Sequence, residues 1–554
     1  MKIMLKLQPG QEYREIIKKE PITVESLVDE FREEFLYDIL LAKVNGKEEE
    51  LTFTIDRDST VELLDMRNHS ANLVYQNSLT LIYLKAVRDV MGGVQVHINT
   101  SLNKGLYTEI ISDEAVSEAQ ISAVEERMRE LVAGDIPIVR EVYDREDAVE
   151  IWERYNSFEK AELLRTAEDI KEAKFYNIDG YRNFFFGLMV PSTGYIKRFQ
   201  LMKYGDGVLM RFPYYSKPDE MPPYIDDSKI YETLQEEKRW EMLMGVSYLP
   251  DLNSKIKKQE WKDLILLSEA LHEKKIAEIA DRITRENKRI ILIAGPSSSG
   301  KTTFARRLCI QLRVNGLEPL YLGTDDYFVE RCDSPLDEDG SPNYENLEAL
   351  DIRLFNDNMN DLLAGKAVDL PEFDFITGTK RFGHRITSVA SGQPIVIEGI
   401  HALNGKLTSE IDDESKFKIY ISPFIQLNID MHNRVPSTDA RILRRITRDY
   451  QFRNYSAADT IRLWPKVRAG EDKNIFPFNG QADVMFNSAL IYELAAMKKY
   501  LVPLLESIEP DCDEYAEAVR LLKFIRFFGD IEDEDVIPNN SIIREFIGGS
   551  VFVE

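Results

Sequence analysis

Cysteine and long apolar runs are both scarce in this chain of 554 residues. Its three cysteines, Cys309, Cys332 and Cys512, are far apart and odd in number, which argues against the disulfide framework of a small secreted domain. No apolar run reaches the roughly 20 residues that a membrane-spanning helix needs. The first residues also lack the apolar stretch of a signal peptide. We therefore expect a soluble, cytoplasmic protein with no membrane partner.

Basic residues are in deficit, with 70 Lys and Arg against 96 Asp and Glu and a formal net charge of −26. Binding to a nucleic-acid backbone requires a basic face, so this balance argues against a nucleic-acid partner. The hydrophobic fraction of 44% is that of a globular protein. By length the chain has room for roughly three to four domains. The sequence leaves the oligomeric state open, and a homo-oligomer is one alternative.

Four regions differ in their residue patterns. Residues 1–66 combine short β-like runs, one helix and an Asn45-Gly46 turn, which predicts a small β-grasp-like domain. Residues 67–226 mix long amphipathic helices with strand-like runs such as RNFFFGLMV, which predicts an α+β domain. Residues 227–286 are almost wholly helical in pattern and predict a connector. Residues 287–554 alternate strands and helices, which predicts an α/β fold with a mainly parallel sheet flanked by helices.

The strongest motif lies between the apolar strand RIILIA and the helical run FARRLCIQLR. It fits G-x-x-x-x-G-K-[ST], the phosphate-binding loop of nucleotide-binding proteins. Its glycines let the backbone wrap closely, so that N–H groups and the helix N-terminus face phosphate oxygens. We expect Lys301 to bridge the β- and γ-phosphates of ATP and the Thr302 hydroxyl to ligate Mg²⁺. The predicted nucleotide-binding residues are Gly295, Pro296, Ser297, Ser298, Ser299, Gly300, Lys301, Thr302 and Thr303.

Two carboxylates follow later strands, at the edge where open α/β sheets bind ligands. Asp325 lies in TDDYF directly after the strand PLYLG, where it could accept the proton of an attacking hydroxyl. Glu398 ends the apolar strand in PIVIEGIHAL, where it could act on Mg²⁺ or on the water around it. The alternatives are a plain Asp-Asp turn for Asp325 and a capping carboxylate for Glu398.

Four arginines recur at helical spacing in STDARILRRITRDYQFRN. Arg441, Arg444, Arg445 and Arg448 stand at i, i+3, i+4 and i+7, which places them along one face of a helix. A lid that brings guanidinium groups onto the transferring phosphoryl group would stabilise its developing charge. The alternative is a solvated helix face that pairs with nearby aspartates. Arg453 lies just beyond and could join either arrangement.

Together these motifs resemble the uridine kinase and phosphoribulokinase family. The likeness covers roughly residues 288–500 and comprises GPSSSGKTTFA, DDYF, LPEFDF followed by Arg381, VIEGIHAL and DARILRRITRD, in that order. The resemblance implies that Asp325 is the catalytic base and that Thr302 and Glu398 are the magnesium positions. It also implies that Lys301, Arg444, Arg445 and Arg448 act on the transferring phosphoryl group.

The chain departs from that family where its members contact the nucleoside. It reads Glu345-Asn346-Leu347 in place of Asp-His-Pro, and it has Gly378 within FDFITGTKRF where the family tends to have a histidine. These differences leave the acceptor open. The candidate substrate contacts are Tyr344, Glu345, Phe373, Asp374, Arg381 and Arg453.

The N-terminal half resembles other proteins. Residues 1–66 look like the TGS domain of threonyl-tRNA synthetases and certain GTPases, with LLAKVNGK as the closest stretch. Residues 67–226 look like the second domain of those synthetases, which hydrolyses mischarged tRNA through an H-x-x-x-H pair and a later Cys/His pair. Here His69 is present, but the second position is Leu73, and no Cys or His occurs between His97 and His272. We therefore predict a non-catalytic domain in which His69 is structural.

The whole arrangement looks like a bacterial group described as uridine or nucleoside kinases. We expect ATP-dependent, Mg²⁺-assisted phosphoryl transfer to the 5′-hydroxyl of a nucleoside. Two alternatives remain at this point. One is a kinase of another small hydroxyl acceptor. The other is an RNA- or ribosome-associated regulatory ATPase, which the synthetase-like half suggests and the acidic composition opposes.

Overall fold

The computed structural model of the chain describes residues 1–8, 11–155, 157–166, 171–337, 340, 342–425 and 427–553. The first elements are β1 (Lys2–Lys6), β2 (Arg14–Ile17), β3 (Ile22–Thr23), α1 (Val24–Glu30), β4 (Ile39–Val44), β5 (Lys47–Glu49), β6 (Thr54–Ile55) and β7 (Ser59–Asp65). Five of the strands form one sheet in the order β2-β1-β7-β4-β5, with β1 and β7 parallel. Helix α1 begins where the Thr23 side chain accepts a hydrogen bond from the Ser26 N–H, and its Leu27 is buried with Leu5 and Val61.

The next region mixes long helices with two antiparallel sheets. Its elements are α2 (His69–Met91), β8 (Gln95–Leu102), β9 (Gly105–Ile111), α3 (Glu118–Ala133), β10 (Val139–Asp144), α4 (Arg145–Arg154), α5 (Phe158–Thr166), β11 (Glu172–Ile178), β12 (Tyr181–Phe184), β13 (Gln200–Tyr204) and β14 (Gly207–Arg211). One sheet has the order β13-β14-β9-β8 and the other β10-β11-β12. The α+β character predicted from the sequence is therefore present.

The strand expected over the whole of RNFFFGLMV ends at Phe184. Beyond it the backbone N–H groups bind side chains of other elements instead of a neighbouring strand. Met189 donates to Glu50 Oε1 at 3.1 Å, and Val190 donates to Ser78 Oγ at 3.0 Å. Tertiary hydrogen bonds thus replace the sheet ladder that the apolar pattern suggested.

Three helices follow: α6 (Ser228–Met244), α7 (Leu249–Lys257) and α8 (Trp261–Arg285). Helix α8 packs against the region that follows it. Its Ile276 and Ile283 are buried together with Ile291 and Phe304 of the next region. Beside them the buried Arg307 pairs with Glu273 of α8 at 2.7 Å. The segment predicted as a connector therefore covers one face of the following sheet.

The last region carries the nucleotide-binding motif. Its elements are β15 (Ile290–Ala294), α9 (Lys301–Val314), β16 (Leu320–Gly323), α10 (Ile352–Leu363), β17 (Val368–Asp369), β18 (Glu372–Asp374), β19 (Thr379–Arg381), β20 (Ile386–Thr387), β21 (Ile395–Glu398), β22 (Lys416–Ser422), α11 (Ser437–Phe452), α12 (Ala457–Asn474), β23 (Val484–Asn487), α13 (Glu493–Glu506), α14 (Tyr515–Ile525) and α15 (Arg544–Ile547). Its sheet has five parallel strands in the order β16-β21-β15-β22-β23. The predicted α/β class is confirmed, and none of the described helices is long and apolar enough to cross a membrane.

The stretch between β22 and α11 joins this region to the N-terminal half. Ile98 in the edge strand β8 donates its N–H to the Met431 carbonyl at 2.9 Å, and its own carbonyl accepts from Asn428 Nδ2 at 2.9 Å. Nearby, the buried Lys160 lies 3.6 Å from the buried Asp430. A segment of the nucleotide-binding region therefore satisfies the open edge of an N-terminal sheet.

Candidate active site

Three parallel strands end at the same edge of the sheet and bring the predicted site together. In their register Glu398, the last residue of β21, lies opposite both Ile293 of β15 and Gly323 of β16. The phosphate-binding loop begins two residues after Ile293, and Asp325 follows Gly323 by two. The sheet register thus places the loop, Asp325 and Glu398 side by side at the carboxyl edge, where such sheets bind ligands.

The backbone of the loop has the conformation that its sequence predicts. Gly300 has a φ of +81° and Ser298 a φ of +58°, so both residues adopt the left-handed conformation that lets the chain fold back around an anion. A Cβ at Gly295 would overlap the Ile421 carbonyl oxygen of β22. A Cβ at Gly300 would lie 2.5 Å from Ile542 Cγ2. Both glycines are therefore required by close packing, and Gly300 is favoured by its backbone conformation as well.

Lys301 and Thr302 open helix α9 and face the loop and Glu398 respectively. Lys301 Nζ donates to the carbonyls of Gly295 at 2.9 Å and Pro296 at 3.0 Å, so the ammonium lies across the loop. Thr302 Oγ1 donates to Glu398 Oε1 at 3.0 Å, and the Tyr321 hydroxyl donates to the same oxygen at 3.1 Å. A hydroxyl and a carboxylate in contact are the hard oxygen donors that Mg²⁺ prefers. These residues fit the predicted magnesium position.

Asp325 lies in a short 3₁₀ turn after β16, close enough to Glu398 and Lys301 to interact with their charges. Desolvation in the cleft, reinforced by the Glu398 carboxylate, raises the pKa of Asp325 to about 7. Its neighbour Asp326 instead pairs with Arg385 at 2.6 Å. A carboxylate poised near neutral pH is suited to accept a proton from an attacking hydroxyl, whereas the paired Asp326 is not.

The four arginines of helix α11 line the phosphate-binding loop, as their spacing predicts. Arg441 Nε donates to the Ser297 carbonyl at 3.0 Å, Arg444 to the Ser298 carbonyl at 3.3 Å, and Arg445 to Ser297 Oγ at 2.7 Å. Each arginine also pairs with a carboxylate. The pairs are Arg441–Glu471, Arg444–Glu493 at 2.6 Å, Arg445–Asp449 at 2.9 Å and Arg448–Glu545 at 3.0 Å.

Burial separates these arginines into two kinds. Arg444 is fully buried and is held on both sides of its guanidinium by Glu493 and Ser488, so it supports the loop from within. Arg445 and Arg448 are partly exposed and are nearer to the solvent side of the helix. Arg453 is the most exposed of the series and pairs with Asp449 at 3.2 Å. Among the four arginines predicted to share one helical face, Arg445 and Arg448 are therefore the most available to a bound phosphate.

The structure brings only some of the candidate substrate contacts to this site. Glu345 lies close enough to Arg445 and Lys301 to interact with their charges, and desolvation raises its pKa. Tyr344 packs edge-to-face on Phe328, with ring centroids 5.0 Å apart. Phe373 is buried behind the same phenylalanine.

The remaining pair, Asp374 and Arg381, lies on the hairpin formed by β18 and β19. The two residues form an ion pair with each other across that hairpin. The hairpin turn at Gly378 has a φ of +72° and packs against Arg331. The position where the family tends to have a histidine is therefore a turn that favours glycine.

Two carboxylates that sequence reasoning missed hold the loop in place. Glu471 of α12 accepts from the Ser297 N–H at 2.8 Å and from Arg468 at 3.1 Å, besides pairing with Arg441. Glu545 of α15 accepts from Thr303 Oγ1 at 2.9 Å and from Arg448. The only local signal was the i, i+3 spacing of Arg468 and Glu471. The other contacts join elements that are distant in sequence.

Replacing Glu471 tests how much its contacts with Ser297, Arg441 and Arg468 stabilise the protein. In a Glu471→Gln variant Arg441 keeps its burial but loses its counter-charge, so we expect the free energy of unfolding to fall by about 3 kcal/mol. Urea denaturation followed by circular dichroism measures the change. The exposed Glu414→Gln substitution makes the same change of charge and is expected to have little effect. Equal stabilities for the two variants would contradict the role assigned to Glu471.

In the synthetase-like half, the structure places His69 and Leu73 at the positions of the editing histidine pair. His69 opens helix α2, and Leu73 follows one turn later on the same helix. Within the described residues no cluster of three or more His, Cys, Asp or Glu side chains is placed to hold a metal ion. The absence of catalysis in this half stays a prediction.

Comparisons with known proteins fall into two groups that match the two halves. Residues 290–494 match the model of the phosphoribulokinase / uridine kinase family. A uridine kinase from Deinococcus deserti (strain DSM 17065 / CIP 109153 / LMG 22923 / VCD115) is 29% identical over 197 residues, which cover 35% of this chain and 86% of that kinase. The structure of a "possible uridine kinase" from Bacillus stearothermophilus is 22% identical, with a TM-score of 0.24, and covers 36% of this chain and 89% of that one.

The second group consists of threonine–tRNA ligases. The ligase of Maricaulis maris (strain MCS10) is 32% identical over 165 residues, which cover 30% of this chain and 26% of the ligase. The chain thus spans about a quarter of the length of that ligase. The likeness is to an N-terminal portion of such enzymes, in agreement with the resemblance found in the sequence. These comparisons confirm the two resemblances found in the sequence: residues 290–494 are similar to the phosphoribulokinase / uridine kinase family, and a further part of the chain is similar to threonine–tRNA ligases.

Proposed function

We propose that this protein transfers the γ-phosphoryl group of ATP to the 5′-hydroxyl of a nucleoside. The observation that carries the proposal is the position of Asp325, which lies beside Glu398 and the phosphate-binding loop at the carboxyl edge of the sheet and whose pKa is raised to about 7. A group of that kind is needed by a kinase with an alcohol acceptor. An ATPase that activates water has other means of orienting its nucleophile.

Each residue of the site has a role in this reaction. Asp325 accepts the proton of the attacking hydroxyl as the new phosphorus–oxygen bond forms. Lys301, Arg445 and Arg448 stabilise the charge on the transferring group, while Arg444 keeps the loop in its shape. Thr302 and Glu398 would hold Mg²⁺, which neutralises phosphate charge when it is bound. Most of the acceleration then comes from positioning and electrostatics.

A nucleoside acceptor is supported by the similarity to the Deinococcus uridine kinase, which extends over 86% of that protein. Tyr344, which is half-buried and packs on the buried Phe328, offers a ring on which a flat base could stack. Glu345, which lies near Lys301 and Arg445, could accept a hydrogen bond from a ribose hydroxyl. We also propose the four domains predicted from the sequence, 1–66, 67–226, 227–286 and 287–554, in a cytoplasmic protein.

The decisive experiment is a screen of acceptors. Purified full-length protein is incubated with ATP, with and without Mg²⁺, against uridine, cytidine, adenosine, guanosine and their 5′-deoxy analogues, and the products are identified by mass spectrometry. We expect a nucleoside 5′-monophosphate and no product from the 5′-deoxy analogues. Phosphorylated product from the 5′-deoxy analogues would place the transfer at another hydroxyl.

The RNA- or ribosome-associated ATPase stays a second candidate because of the similarity to threonine–tRNA ligases. The two functions differ in what consumes ATP. A switch hydrolyses ATP to ADP and phosphate without an acceptor, and RNA changes its rate. ATP turnover that leaves every nucleoside unmodified and rises with added tRNA or ribosomes would replace the nucleoside kinase with this alternative.

The raised pKa of Asp325 predicts the pH dependence of the reaction. A general base acts only when it is unprotonated, and this carboxyl is protonated below a pH of about 7. We therefore expect kcat/KM for the acceptor to fall about tenfold per pH unit below that value and to level off above it. Steady-state rates between pH 5.5 and 8.5 measure this. A profile that is flat down to pH 5.5 would contradict the raised pKa.

A further inference from the structure

A cavity of about 140 Å³ lies where the N-terminal half meets the kinase domain. Helix α2 contributes Leu73 and Gln76, the stretch before α11 contributes Arg434, and helix α14 contributes Lys523 and Phe524. The cavity is remote in sequence from the phosphate-binding loop, and nothing in the kinase reaction uses it. Its walls are apolar at Leu73 and Phe524 and include three Arg and Lys side chains, one of which, Arg520, is paired with Asp439.

The guanidinium of Arg434 is fixed in position but has no ion-pair partner among the described residues. Its guanidinium donates to Gln76 Oε1 at 3.2 Å, and the Gln76 amide is itself oriented by donating to Asn72 Oδ1 at 2.7 Å. In the described part of the chain no carboxylate lies within ion-pair distance of Arg434. Desolvation lowers the pKa of Arg434 to about 10. An arginine that is desolvated without a counter-ion gains from binding one.

The acidic groups of the lining form no ion pair with Arg434, although the charge of Asp439 acts on it from a longer distance. Asp439 is engaged by both terminal nitrogens of Arg520, at 2.6 and 2.9 Å. Burial raises the pKa of Glu48, which disfavours its charged form. Lys523, exposed at the edge of the cavity, likewise forms no ion pair among the described residues. Desolvation also lowers the pKa of Lys523. The lining nevertheless holds three Arg and Lys side chains, Arg434, Arg520 and Lys523, against the two acidic side chains of Glu48 and Asp439.

We propose that this cavity binds a small organic carboxylate and that its occupation changes the affinity of the kinase site for ATP. The carboxylate lies against Arg434, with its hydrocarbon part against Leu73 and Phe524. A cavity of about 150 Å³ accepts benzene in another protein, so the ligand has roughly six to nine non-hydrogen atoms. Apolar walls favour such a ligand over a bare inorganic anion.

Helix α11 connects the two sites. It begins at Ser437, three residues after Arg434, and Asp439 in its first turn lines the cavity. On the same helix Arg441 and Arg445 contact Ser297 of the phosphate-binding loop. A ligand that moves Arg434 towards the cavity would also displace the first turn of α11. Because side chains of α11 contact the phosphate-binding loop, this displacement would change the loop. The coupling rests on the proposed nucleotide site, whereas binding in the cavity does not.

Benzoate and its neutral isostere benzamide test the carboxylate site. Isothermal titration calorimetry with the full-length protein is expected to show benzoate binding, and binding about tenfold or more weaker for benzamide and in an Arg434→Gln variant. The Lys523→Gln variant, altered at an exposed position, is expected to weaken benzoate severalfold while keeping the melting temperature. Absence of benzoate binding, equal binding of benzamide, or preferential binding of inorganic phosphate would overturn the carboxylate site.

The coupling is tested by ATP binding, so that a failure of the kinase reaction does not confuse the result. Titration of a fluorescent ATP analogue with and without saturating benzoate is expected to show a change in affinity of about five- to a hundredfold, absent in Arg434→Gln. An unchanged affinity would overturn the coupling and leave the cavity as a separate site. Lack of ATP binding in both conditions would instead overturn the nucleotide site.

Discussion

An Asp325→Asn variant is expected to bind ATP with unchanged affinity and to turn over about a hundred to ten thousand times more slowly. The amide keeps the size of the side chain but cannot accept the proton of the acceptor hydroxyl. The substitution also removes a charge that interacts unfavourably with Glu398, so the folded protein is not weakened. Single-turnover rates and ATP titrations measure the two effects separately.

Asp326→Asn is the matched control for that result. It changes the same charge one residue along, but at a side chain that pairs with Arg385 instead of facing the cleft. We expect its turnover to stay within a few-fold of the unmodified protein. Equal rates for the two variants, whether both slow or both fast, would remove Asp325 from the role of base.

A Lys301→Met variant is expected to lose at least about a hundredfold in kcat/KM for ATP. The ammonium of Lys301 lies across the loop, donating to the Gly295 and Pro296 carbonyls, and is the cation closest to where the terminal phosphates would bind. Methionine keeps the length of the side chain and removes the charge. Because Lys301 forms no ion pair with a carboxylate in the described part of the chain, the fold is expected to persist.

The control for this variant is Lys288→Met. Lys288 lies just before the same strand, β15, but at its far end, where it donates to the Glu414 carbonyl at 2.8 Å. The same loss of charge there is expected to leave kcat/KM for ATP unchanged. If Lys301→Met retained full activity while still folded, the loop would bind its phosphates through backbone N–H groups alone.

Every arginine of the predicted lid is paired with a carboxylate, so a phosphate would have to compete with that carboxylate for the guanidinium. A free arginine face would attract any phosphate, whereas here each of the four guanidiniums has a carboxylate partner, supplied by Glu471, Glu493, Asp449 and Glu545. A bound phosphate must then share or replace a carboxylate at Arg445 and Arg448. Such competition favours a ligand with several negative charges, such as the triphosphate of ATP, over a monovalent anion.

The core of the candidate site could be predicted because it depends on short motifs at strand ends. Lys301, Thr302, Asp325 and Glu398 each follow an apolar strand closely, and the carboxyl ends of parallel strands meet at one edge. Glu471 and Glu545 could not be found in that way. Their significance lies in contacts with Ser297 and Thr303 that are far away along the chain.

The sequence by itself determined the α/β class, the phosphate-binding loop, the helical face of arginines and the likeness of the two halves to two families, because these depend on local pattern and spacing. Only the tertiary structure decided which arginines are buried supports, since Glu493 reaches Arg444 from another helix. The tertiary structure also packs α8 against the C-terminal parallel sheet, and it forms a cavity lined by Gln76, Arg434 and Lys523. Burial and pairing between distant residues arise from the packing of whole elements, and no local pattern encodes them.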